Sequence, residues 1–182
     1  MAHAGEVIEN PVTGERVVFR QTAGDKGGEL LQFDHYLKVN GIGPYEHFHP
    51  RQHERFRVVS GTMGVRLDGR EHVLRAEEEI TIPPGAKHTW WNAGEEELHQ
   101  ITEFRPALKF EVFTSTLYAL GREEHTYKGF PAAAQFAVLA VECKDNVYLA
   151  RYPLPLQKAV YRLLMPAARL LGYHARYRRH SI

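Results

Sequence analysis

The stretch Gly41–Gly61, GIGPYEHFHPRQHERFRVVSG, and the later run PPGAKHTWWN over residues 83–92 constrain this chain more than anything else in it. Together they set three imidazoles, His47, His49 and His88, and one carboxylate, Glu54, where a rolled β-sheet could gather them about one metal ion. His47 and His49 are two apart, so on a strand they point to the same face. Glu54 lies an odd step further on, which an unbroken strand would aim the other way. Pro50 cannot donate to a ladder and marks a turn or bulge that resets the register. A new strand then starts near Glu54 and carries Phe56, Val58 and Ser60 on the carboxylate's face until Gly61 turns the chain. Met63, Val65 and Leu67 alternate beyond it as the return strand of a hairpin. His88, just past the turn at Pro83-Pro84-Gly85, would close the site from another strand.

These residues resemble the cupin superfamily. Its first motif reads Gly, five residues, His-x-His, three or four residues, Glu, six residues, Gly, and Gly41, His47, His49, Glu54 and Gly61 fit every fixed position. Its second reads Gly, five residues, Pro-x-Gly, two residues, His, three residues, Asn. Pro83, Gly85, His88 and Asn92 fit it, while Glu77 stands in place of the leading glycine. The resemblance spans roughly residues 30 to 105 and is to the small, single-domain, metal-binding cupins of the conserved-barrel type. It implies His47, His49, Glu54 and His88 as metal ligands, with Gly61 and Gly85 as turn glycines. It favours Glu54 over its neighbour His53, which reads as a rim residue. Imidazole suits zinc, copper, iron and nickel, and a carboxylate shifts the preference toward iron and manganese. A closed structural zinc site more often uses cysteines, and Cys143 is the only one here. The expected cofactor is therefore one divalent ion (iron, manganese, nickel or zinc) with open coordination positions, as a catalytic metal requires.

The rest of the chain sets the frame. At 182 residues it suits one folding unit with a proper core. A single cysteine excludes an intrachain disulfide framework and suits a reducing cytosol. No run of apolar residues is long enough to cross a membrane, and the first residues lack an apolar signal core, so the expectation is a cytoplasmic protein. Short strands with Gly and Pro turns fill residues 30 to 105, and a further strand spans Arg16–Gln21. The fold class expected is mainly β, a cupin double-stranded β-helix (jelly-roll barrel) over residues 1–105. A C-terminal α-helical extension over residues 106–182 follows, packed on the barrel or on a second subunit.

From Pro106 the apolar period becomes helical: Leu108, Val112, Phe113, Thr116, Leu117 and Leu120 recur before Gly121. A second helix is expected over Ala132–Cys143. A third runs from Pro155 to Gly172, with Leu156, Val160, Leu163, Leu164, Ala167 and Leu171 as its stripe and Pro166 kinking or dividing it. Residues 151–182 hold seven basic residues and no Asp or Glu, so the net charge of +1 hides a positive tail on a negative body. A basic amphipathic helix can lie on an anionic membrane or meet an acidic partner. The preferred reading is that its stripe covers the barrel or a second subunit. Nucleic acid is not an expected partner, because no binding motif accompanies the basic residues.

The pocket is expected to take a small molecule, with Phe56, Val58, Met63, Trp90 and His99 as its lining. His35, Tyr45 and Glu103 are the candidates to move a proton. The alternation over residues 98–104 also allows Gln100 and Thr102 to face inward instead of His99 and Glu103. Two functional classes remain at this level. One is a metal-dependent enzyme acting on a largely apolar phenolic, enolic or carboxylate substrate, with dioxygenase, isomerase or cyclase-type chemistry. The other is a non-catalytic small-ligand or sensor barrel. The enzyme is preferred, since sensor cupins usually accompany a DNA-binding domain and none is visible. Similar barrels often pair, so a homodimer is expected from the resemblance.

Overall fold

A computed structural model describes residues 2–123, 125–127 and 130–175. Ten strands come first: β1 (Val7–Asn10), β2 (Glu15–Gln21), β3 (Leu31–Leu37), β4 (His47–Phe48), β5 (His53–Ser60), β6 (Thr62–Leu67), β7 (Arg70–Arg75), β8 (Glu79–Ile82), β9 (His88–Asn92) and β10 (Leu98–Arg105). Then follow α1 (Phe110–Arg122), the short strands β11 (Thr126–Tyr127) and β12 (Phe130–Pro131), α2 (Ala133–Glu142), β13 (Tyr148–Leu149) and α3 (Leu154–Leu170). The strands make two larger antiparallel sheets, ordered β1-β2-β3-β10-β5-β8 and β13-β4-β9-β6-β7. This is a jelly roll with a helical C-terminal part.

Strand alternation explains the core. Leu37, Phe56, Val58, Ile82 and Leu98 point inward from the first sheet to meet Met63, Val65, Leu74 and Trp90 from the second. Such alternation, apolar inward and polar outward, is what two facing sheets require. Gly61 turns β5 into β6 at φ +81°, and a Cβ there would sit 3.0 Å from the Glu97 carbonyl oxygen and the Leu98 Cα. Glu77, which replaces the motif's glycine, holds φ +69° before β8. Its carboxylate pairs with Arg57 across the exposed sheet face.

The helices start and stop within a few residues of the sequence expectation, and α3 is not divided at Pro166. The segment after Pro106 does more than cover the barrel, because β13 pairs with β4 and extends the second sheet beside the candidate ligands. Phe110, Leu117 and Tyr118 of α1 pack into a second apolar cluster with Ile8, Val17, Phe19 and Phe33. Of the two covers expected for the stripe of α3, the barrel is not one: α3 packs on α2 through other residues, and Leu156, Val160, Leu163 and Leu164 are exposed in the single chain. The basic residues Arg176, Arg178 and Arg179 lie outside the described residues.

Candidate metal centre

His47, His49, Glu54 and His88 come together as the spacing suggested. Each offers one ligand atom, and the four atoms lie within 4.8 Å of one another, all buried. The local construction is economical. β4 is only two residues long and pairs His47 directly with His88 of β9. Pro50 breaks the chain after His49, and Glu54 enters as the second residue of β5, held between Phe104 of β10 and Ile82 of β8.

The imidazoles are fixed in one tautomer by their surroundings. Nδ1 of His47 donates to the Tyr45 carbonyl at 2.8 Å, and Nδ1 of His88 donates to that of Ala86 at 3.1 Å. Nδ1 of His49 donates to the Asn146 carbonyl at 2.5 Å. With Nδ1 carrying the proton, Nε2 of a neutral imidazole keeps its lone pair, the arrangement that metal-ligating histidines adopt. Nε2 of His88 lies 2.8 Å from Glu54 Oε2. Nε2 of His49 lies 3.2 Å from the same oxygen, yet it is buried without a hydrogen bond. An orphaned buried nitrogen aimed at a carboxylate and two other imidazoles fits a metal ion.

Electrostatics favours the ligand forms of His47 and Glu54. Burial pushes His47 well below its ordinary value of 6.5, and the neighbouring His88 and His49 push it further, so it stays neutral. For Glu54, burial pushes the carboxyl up, but the neighbouring imidazoles of His49 and His88 outweigh it. The carboxyl is held well below the usual range. His88 is lowered by burial, yet the Glu54 carboxylate and the Ala86 carbonyl outweigh that and leave it raised. Glu54 is thus a permanent anion among imidazoles, as a divalent cation would need.

The centre opens on a cavity of about 150 Å³. Its walls are largely aromatic (Phe33, Trp90, Phe104, Phe110, Phe113 and Phe136), and both His47 and Glu54 line it. Of the pocket residues expected from sequence, Trp90 lines this cavity. Phe56, Val58 and Met63 are wholly buried in the barrel core, with Phe56 against the Trp90 ring at 6.0 Å. His99 is turned away: it stacks on Tyr36 and bonds Asp34 on the outer face. Glu103 is also outside, bonded to Gln32 and paired with Arg55 and Arg105. The β10 register decides this, since Gln100 and Thr102 are the residues facing in. Tyr45 is 55% exposed and stands at the edge of the cavity. His53 is exposed at the start of β5.

His35 does line the cavity. Its Nε2 faces Glu15 Oε1 at 3.1 Å and the Tyr118 hydroxyl at 3.1 Å, and Nδ1 makes no hydrogen bond among the described residues. Thr13 donates to the other Glu15 oxygen at 2.7 Å. Burial, then the charge of Glu15 and a hydrogen bond to it, push the Tyr118 hydroxyl well above its ordinary value. Glu15, Tyr118, Phe110 and the Asn146 carbonyl were not legible in the sequence. They arrive from an N-terminal strand, from α1 and from the segment before β13, with no motif spacing to tie them to His47.

Residues 35–102 match the cupin domain family. The barrel belongs to the cupin superfamily. An RmlC-like cupin from Shewanella frigidimarina superposes with a TM-score of 0.51 at 23% identity, over 61% of this chain and 96% of that one. An oxidoreductase of Arthrobotrys oligospora is 36% identical over 95 residues, which is 46% of this chain and 38% of that protein. The polyketide synthase protein CurC of Streptomyces cyaneus is 38% identical over 61 residues, 34% of this chain and 40% of that protein. The cupin thus matches well under half the length of these curated relatives. No helix among its described residues is long and apolar enough to cross a membrane.

Proposed function

We propose that this cupin is a metal-dependent enzyme acting on a small, largely apolar molecule that carries a phenolic, enolic or carboxylate oxygen. Dioxygenase, isomerase and cyclase chemistry all fall within that class. One observation carries the reading: a buried set of three imidazoles and a carboxylate opens onto an aromatic cavity that is also lined by His35, a fourth, independently held imidazole. A divalent ion held by His47, His49, Glu54 and His88 supplies a Lewis acid for a substrate oxygen.

The chain's own residues supply the rest. The aromatic walls exclude water and hold the apolar body of the substrate. The Glu15 carboxylate accepts the Nε2 proton of His35 and so orients the ring. Nδ1 of His35 is then free to accept a proton from the substrate, the role an imidazole plays when a carboxylate holds its other nitrogen. The Tyr118 hydroxyl, kept protonated by burial and by Glu15, steadies that pair. Names of the relatives lean the same way, since one is called an oxidoreductase and another a polyketide synthase protein. A cytoplasmic setting, which a chain with one cysteine suits, and a homodimer formed through the barrel belong to this reading.

The test is direct. Purified protein should hold one divalent ion per chain, and the double substitution His47→Ala with His88→Ala should abolish it; full occupancy in that variant would remove the proposed site. Metal-loaded protein is then titrated with a panel of phenolic and enolic compounds while oxygen uptake and products are followed. Tight binding without conversion across the panel would make the barrel a ligand sensor or carrier.

A further inference from the structure

The outward face of α3 matches nothing in the metal centre. Successive residues in an α-helix are 100° apart. On that wheel Leu156, Val160, Leu163, Leu164, Leu170 and Leu171 fall on one side, with Ala167 among them and Ala159 at the edge. No polar residue interrupts the arc. The side next to it, with Gln157 and Ala168 buried, faces α2. Leu163 is 81% exposed, Leu170 90% and Leu171 75%. A soluble surface rarely leaves so continuous an aliphatic face bare.

Charge identifies what covers it. Arg162 and Arg169 flank the arc on one side, and residues 151–182 contain no Asp or Glu. Arg162 makes no ion pair among the described residues, while Arg169 pairs back to Glu142 of α2. Tyr152, half exposed just before the helix, sits at the end of the arc with Arg151 over its ring. An aliphatic face, a basic flank and a Tyr at the edge are the parts of a helix that lies in a membrane interface. A second copy meeting the face helix to helix would be self-complementary by symmetry. It would bring two stretches free of acidic residues together, which like charges oppose. An anionic lipid surface satisfies both the leucines and the arginines.

We infer that α3 seats this cupin on anionic membranes, with the leucine arc in the headgroup–acyl boundary and Arg162 among the lipid phosphates. The full chain, metal-loaded, is sedimented with vesicles of phosphatidylcholine alone or mixed with phosphatidylglycerol. Binding is expected to the mixed vesicles, to weaken in high salt, and to fall at least about tenfold in the Leu163→Glu, Leu170→Glu double variant. Arg162→Gln should weaken it by a smaller factor. These side chains are exposed, so metal content and the unfolding temperature of the variants should stay at wild-type values, which separates lost docking from lost fold. Absence of wild-type sedimentation on mixed vesicles overturns the inference, and so does equal sedimentation of the double variant. A solution dimer that the double variant splits, with no vesicle binding, would assign the face to a second copy instead.

Discussion

Replacing Glu54 with Gln keeps the side chain's volume and removes its charge, so it isolates what the carboxylate does for the metal. Oε2 lies 2.8 Å and 3.2 Å from two imidazole nitrogens and is the only anion in the ligand cluster. Losing a partner that merely orients a ligand costs about 10- to 100-fold in metal affinity, so losing a ligand's charge should cost about 100-fold or more. A wild-type protein at a metal concentration about 100 times its Kd gains roughly 2.7 kcal/mol, and a 100-fold weaker variant at the same concentration gains about 0.4 kcal/mol. For a chain of this size about 1 kcal/mol moves the melting temperature by about 2–4 °C. Metal should therefore raise the wild-type melting temperature by roughly 5–11 °C and that of Glu54→Gln by under about 2 °C. The assay is thermal unfolding with and without zinc, paired with metal analysis of the folded protein. A Glu54→Gln variant that keeps the wild-type shift and one ion per chain would refute the assignment of Glu54 as a ligand.

Four further outcomes follow from the same geometry. Gly61→Ala should destabilise the protein by about 1–3 kcal/mol, read by urea unfolding, because the turn needs a left-handed residue and the new methyl meets backbone at 3.0 Å. Glu77→Gly should stabilise it by about 0.5–1 kcal/mol in the same assay, since relief of the left-handed strain exceeds the loss of an exposed ion pair. The native protein keeps His47 neutral below 6.5 while the unfolded chain takes up a proton there, so metal-free stability should fall as pH drops through and below 6.5. His88 contributes in the opposite sense, and the fall should be shallower in His47→Gln, measured by the unfolding midpoint across pH. If turnover is found, Glu15→Gln should lower kcat more than it raises KM and shift the pH profile, since it acts through the orientation of His35.

Much of the site could be read from residue order because ligand spacing is a local property. His47 and His49 share a face by strand alternation, Pro50 explains the odd step to Glu54, and a Pro-Gly turn introduces His88. The pocket was harder. Phe56 and Val58 do share a face with Glu54, as alternation demands, but they lie deeper in the barrel, and parity along a strand carries no depth. For β10 even the parity stayed open, and only its pairing with β3 and β5 turned His99 and Glu103 outward.

The amino-acid order alone put His47 and His49 on one face by the two-residue period, and its resemblance to the cupin motifs implied Glu54 and His88 as their partners about a cation. The folded chain decided what surrounds them. α1 and β13 close the cavity, the Asn146 carbonyl orients His49 from 97 residues away, and Glu15 reaches His35 through the pairing of β2 with β3. These are long-range contacts set by how sheets and helices pack, and they leave no periodic trace. The same holds for α3, whose leucine stripe reads identically whether it is covered or bare; packing on α2 through the neighbouring side is what leaves it exposed.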